Sequence, residues 1–146
     1  MSLLERLRLG ANLIREQYLN KQFPKGNVAV IEVYLSNGTA FGIGATSRAK
    51  SPISKPKARS EGGQFEPIVD SYSGYIMDTD AEYKVLSAIA DTLEMFYNRE
   101  VVGQLYLYTE RKPCESCDGV IDQFKEKFPN IKISGLFWDY PYPPNL

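Results

Sequence analysis

The chain has 146 residues, of which 43% are hydrophobic and 24% charged, with seventeen basic against eighteen acidic side chains. That length suits one globular domain spanning residues 1–146, and the near-zero net charge names no partner. The decisive count is zero histidines beside two cysteines. It excludes Ser-His and Cys-His nucleophilic catalysis, histidine-based ribonuclease mechanisms and any zinc site that needs imidazole. No apolar run is long enough to span a bilayer. Met1 to Arg6 lacks the apolar core of a signal peptide.

Leu3 to Leu19 reads as an amphipathic helix, its apolar face carrying Leu4, Leu7, Ala11, Ile14 and Tyr18, with Arg6, Arg8, Arg15 and Glu16 placed on the surface. The N-terminal helical region is taken as residues 1–20. Asn27 to Leu35 is rich in Val, Ile and Tyr and reads as a strand. Ser36-Asn37-Gly38 supplies a hairpin turn, and Thr39 to Thr46 is its partner strand. Gly42 and Gly44 mark that second strand as weakly specified or closely approached by something else.

Residues 47–75 lack periodicity and hold Arg48, Lys50, Lys55, Lys57 and Arg59 with no acid through residue 59. Such a stretch is a mobile solvated loop or a phosphate-contacting flap. Asp80 to Tyr97 is the clearest helix, with Ala81, Val85, Leu86, Ile89, Leu93 and Phe96 on one stripe. Gln104 to Thr109 is a strand, Glu110 to Pro113 a loop, and Cys114 to Phe128 a second helix. Ile131 to Trp138 is the last strand, followed by a proline-rich tail over 141–146. These elements predict an α/β domain of three layers, whose mixed sheet combines an antiparallel hairpin with a parallel β-α-β half.

Two short motifs carry candidate chemistry. In Pro113-Cys114-Glu115-Ser116-Cys117 the cysteines sit where a strand hands over to a helix, where the helix dipole and free N–H groups favour thiolates. Their spacing allows a shared metal, a mutual disulfide or two inert core cysteines. In Asp80-Ala81-Glu82, Glu82 faces the same way as the buried stripe. A carboxylate there is a general acid/base or, as the end of Thr79-Asp80-Ala81-Glu82, a capping-box residue. If both helices begin at one end of the sheet, Asp80, Cys114 and Cys117 make three metal ligands, with Glu82 beside a fourth position.

Together these motifs resemble those of the zinc-dependent cytidine-deaminase superfamily, which carries His- or Cys-x-Glu on one helix and Pro-Cys-x-x-Cys on the next. The closest resemblance is to the deaminase domains of bacterial polymorphic toxins. It rests on Asn27 to Glu32, Asp80 to Ile89, Leu107 to Cys117 and Phe128 to Ile131, and covers about residues 27–134. It implies Zn²⁺ held by Asp80, Cys114 and Cys117. It also implies that Glu82 takes a proton from a zinc-activated water, which attacks C4 of cytosine or C6 of adenine before ammonia leaves. Asp80 stands where most of the superfamily has His or Cys. Two thiolates and a carboxylate against divalent zinc leave one net negative charge, which weakens the metal as a Lewis acid.

The expected reaction is cytosine-to-uracil conversion in single-stranded DNA. The expected setting is a secreted effector domain acting in the cytoplasm of a target bacterium. Double-stranded DNA, RNA and free nucleotides are alternative substrates. Ser47, Arg48, Lys50, Tyr72, Tyr75, Thr109 and Arg111 are the candidate substrate contacts. Expected partners are nucleic acid and a cognate immunity protein, with no membrane and a monomeric chain. Two other classes compete. A thioredoxin-like dithiol oxidoreductase fits the strand–CxxC–helix order, but only 29 residues follow Cys117 and Asp80 and Glu82 are left without a role. A non-catalytic metal knuckle needs a fourth protein ligand, from Glu115 or Asp118.

Overall fold

The structure, a computed structural model, describes residues 2–23, 26–67, 81–111 and 115–140, with backbone alone for 115–118. Helix α1 (Leu3–Ile14) starts on Ser2, whose Oγ accepts the Glu5 N–H at 3.1 Å. It runs on into a π-helical turn, Arg15–Leu19, which stops at Asn20 in the left-handed conformation (φ 51°). The helical stretch thus covers the expected residues, but the wider last turn rotates Arg15 inward. Arg15 is 8% exposed, so its expected surface position is corrected.

Strands β1 (Val28–Leu35) and β2 (Ala40–Thr46) form the expected hairpin, with Val28 opposite Thr46. Gly38 turns the corner at φ 91°, a conformation open to glycine without strain. Gly44 explains itself by proximity: a methyl there would overlap Ile14 Cδ1 of α1. A short 3-10 turn (Arg59–Glu61), helix α2 (Ala81–Phe96), strand β3 (Gly103–Arg111), helix α3 (Glu115–Lys127) and strand β4 (Ile131–Tyr140) complete the described elements.

The sheet runs β2-β1-β3-β4. β1 is antiparallel to both neighbours, and β3 and β4 are parallel. Ala29, Ile31, Val33, Leu105 and Leu107 turn one sheet face toward α2 and α3, building the main core with Leu86, Ile89, Leu93 and Phe124. Val28 and Tyr108 turn the other face toward Leu7 and Ala11 of α1. The result is a helix–sheet–helix sandwich with a mixed sheet, as a cytidine-deaminase-like fold requires.

Two expectations change. Glu110 and Arg111 continue β3 instead of forming a loop, because Arg111 pairs with Tyr140 and the Glu110 charge is met by Arg15. Phe96 leaves the α2 stripe and is 71% exposed, while Tyr97, one residue on, packs against the core.

Helix α1 is also docked by charge. Arg6 forks onto Glu32, and Arg8 onto Asp139 at 2.7 and 2.9 Å. The Arg8 hydrogen bonds hold the Asp139 carboxyl below the usual carboxylate range, against the opposing effect of burial, and Tyr108 adds a 2.6 Å hydrogen bond to it. Burial, with Asp139 alongside, pushes the Tyr108 phenol well up, so it remains a donor.

Candidate functional site

The first turn of α2 is its most unusual stretch. Ala81, Glu82, Tyr83 and Lys84 are all buried, and three of the four are polar. Burying such groups is costly unless each finds a partner, and each does.

Glu82 is 2% exposed and reaches across the sheet's end. Its Oε1 accepts from Thr109 Oγ1 at 2.5 Å and from Asn27 Nδ2 at 3.0 Å. Asn27 also donates to Thr109 Oγ1 at 2.8 Å, so the three side chains close a ring. Asn27 stands just before β1 and Thr109 near the end of antiparallel β3, which is why the two meet. The backbone ties Asn27 down further: its N–H donates to Ser47 Oγ (2.8 Å), and its Oδ1 accepts the Arg111 N–H (3.2 Å).

On the opposite sheet face, directly beneath this end, Arg15 forks onto Glu110 at 2.6 and 2.8 Å. Arg15 also donates to the carbonyls of Lys21 (2.9 Å) and Gly26 (3.0 Å), and its guanidinium lies 5.8 Å from the Phe23 ring centre. Glu110 Oε1 in turn accepts the Val28 N–H at 2.9 Å. This buried pair therefore braces the start of β1, next to Asn27.

Tyr83 and Lys84 point instead at the segment after β2. Lys84 Nζ donates to the carbonyls of Thr46 (2.9 Å) and Arg48 (2.8 Å). Tyr83 Oη donates to the Phe65 carbonyl at 2.9 Å. Phe65 itself is fully buried against Phe124, and Gln123 of α3 pairs with the backbone of Glu66. Over residues 47–67 the segment is therefore pinned at both ends.

Of the residues singled out from sequence, Glu82, Thr109, Ser47 and Arg111 converge on one end of the sheet through Asn27. Arg48 and Lys50 stand exposed just beyond Ser47. Asp80, Cys114, Tyr72 and Tyr75, and the side chain of Cys117, lie outside the described residues. Their chain neighbours are placed. Ala81 opens α2 beside this site, and Glu115 opens α3 shortly after β3 ends at Arg111. Sequence reasoning missed Asn27, Arg15, Tyr83 and Lys84; polar residues at the edges of apolar runs were the available signal.

A cytidine-deaminase-like sandwich with a buried glutamate at the start of its second helix defines the class. The chain belongs to a family of toxin deaminases: the model of the BURPS668_1122 family of deaminases matches residues 14–137. No curated protein matches the chain. The match extends beyond residues 27–134 and takes in the π-helical turn and most of β4. Among the described residues no helix is long and apolar enough to cross a membrane.

Proposed function

We propose that this toxin deaminase converts cytosine to uracil in single-stranded DNA and that it is a zinc enzyme. One observation carries the reading: Glu82 is fixed by Asn27 and Thr109 at the sheet end where α2 begins and β3 hands over to α3. The donor set suits zinc. Asp80 precedes α2 in the sequence, Cys114 precedes α3, and Cys117 falls in the first turn of α3, and two thiolates with a carboxylate are donors that zinc accepts. Three protein ligands leave a fourth position open, the catalytic arrangement. Bound there, zinc would supply the Lewis acidity that makes water nucleophilic near neutral pH.

The protein's own part is proton handling. Glu82 takes a proton from the attacking water as the C4–O bond forms. It passes protons to the ring nitrogen and to the exocyclic amine, and the C4–N bond breaks to release ammonia. Asn27 and Thr109 are positioning residues that hold the carboxylate in line. Ser47, Arg48, Lys50, Arg111, Tyr72 and Tyr75 form the substrate side of this reading. As a toxin, the domain acts in the cytoplasm of a target bacterium and is neutralised by a cognate immunity protein. The family match gives no support to a dithiol oxidoreductase.

The test incubates wild type and Glu82→Ala with single-stranded DNA, duplex DNA, RNA and free cytidine, then sequences the polymers and measures bound metal. Expected are C→T changes in single-stranded DNA from wild type alone and about one zinc per chain. Full activity of Glu82→Ala would sink the mechanism, and preference for another substrate would reassign it.

A further inference from the structure

A cavity of about 450 Å³ opens beside the catalytic end, between the π-helical turn and the root of the segment after β2. Tyr18, Leu19 and Lys21 form one wall, and Arg48, Ala49 and Lys50 the other. Its size lies within the range of ligand sites. Among the described residues no carboxylate pairs with Lys21, Arg48 or Lys50, whereas Arg6, Arg8, Arg15 and Lys127 each meet one.

Hydrogen bonds hold the backbone of both walls. Lys84 holds the Arg48 carbonyl, and Thr46 Oγ1 donates to the Lys50 carbonyl at 2.6 Å. Arg15 holds the Lys21 carbonyl. Gly26, at φ 79°, brings the walls together: a methyl there would lie 3.2 Å from Leu19 Cδ1 and 3.3 Å from Arg48 Nε. Three exposed cations thus stand on backbone pinned by buried side chains, so an anion that binds has side chains to order but no backbone. One wall of the cavity is also tied to the site by hydrogen bonds. Arg48 follows Ser47, whose Oγ accepts from Asn27, which donates to Glu82.

We infer that Tyr18, Lys21, Arg48 and Lys50 form a subsite for the sugar–phosphate strand next to the reacting nucleotide. The cations take phosphodiesters, and Tyr18 offers a face to an unpaired base. The inference rests on the polynucleotide-deaminase reading and names the chemistry its substrate must carry, a single-stranded phosphodiester.

The probes are twelve-residue oligomers of thymidylate and of uridylate, which carry phosphodiesters but no exocyclic amine to remove. Binding is measured by fluorescence anisotropy across a salt series. Wild type is expected to bind at least one, and whichever binds tighter identifies the sugar. Lys21→Glu with Arg48→Glu is expected to weaken binding about tenfold or more and to reduce the log–log salt slope by about 1.4, two contacts at ~0.7 each. Lys50→Glu, a single exposed change, gives a smaller loss in the same direction and guards against a misfolded double variant. Arg99→Glu, beyond the far end of α2, leaves binding within about twofold. Unchanged affinity in both cavity variants, or no binding of either oligomer by wild type, overturns the subsite. The two readings fail separately. Deamination of free cytidine with neither oligomer bound removes the subsite and keeps the chemistry. Normal oligomer binding with no deamination of any substrate does the reverse.

Discussion

An amide and a hydroxyl fix one oxygen of Glu82, and the position of that oxygen matters more than the stability it lends. A proton carrier displaced by a fraction of an ångström works far less well. Asn27→Ala removes a donor from Glu82 and one from Thr109 together. It is expected to lower kcat about 10–100-fold with a smaller rise in KM, since Asn27 donates to the carboxylate directly and its side chain meets the substrate side only at the Arg111 backbone. Steady-state kinetics on a cytosine substrate reads that split; a rise in KM alone would remove Asn27 from this role. Arg15 and Glu110 pose a different problem, because their charges are buried. Arg15→Met leaves Glu110 buried with its main cation gone, at a cost of about 3–5 kcal/mol. Arg15→Met with Glu110→Leu should recover part of that loss, and denaturant unfolding of the four proteins in the cycle measures the coupling.

At the scale of elements, the first turn of α2 serves as a clamp for its neighbours. Lys84→Met deprives the Thr46 and Arg48 carbonyls of this buried donor. The root of the 47–67 segment should then open more often, and limited trypsin digestion should cut after Arg48 and Lys50 faster than in wild type. Unchanged cleavage would mean the root is held elsewhere. Helix α1 answers to pH through Asp139. Arg8 lowers the Asp139 pKa in the folded chain, so its stabilisation is complete above the unfolded carboxylate value of about 4. It is lost as pH falls through the depressed folded value. Asp139→Asn should therefore be less stable than wild type at neutral pH, with the gap closing in strong acid. Thermal melts of both proteins from neutral to acidic pH give the comparison; a gap independent of pH would assign the loss to packing.

Across the whole molecule, what the sequence disclosed follows one physical division. Periodicity reports the face of an element that meets an apolar core, so the main helices and strands were legible to within a few residues. So was the burial of Glu82, from its place on the α2 stripe. Periodicity is silent on polar groups buried by partners far along the chain. Arg15 is buried because Glu110 waits 95 positions away, and Phe65 anchors a segment with no period of its own. The site has the same long-range character. Asp80 and Cys114, the proposed metal donors, stand 34 positions apart in the chain. In the zinc reading a metal held by both would cross-link the chain, and a site assembled only on folding adds its binding energy to stability. At a free zinc concentration about 100 times Kd the gain is about 2.7 kcal/mol. For a chain of this length that is a Tm shift of about 10 °C. Dialysis against a strong chelator should lower Tm by that order, and added zinc should restore it. Cys114→Ser with Cys117→Ser should melt low and ignore both treatments, whereas Glu82→Gln, which keeps the donors, should respond like wild type. A wild-type Tm indifferent to chelation would separate the thiols from metal binding and leave the fold standing on its two cores alone.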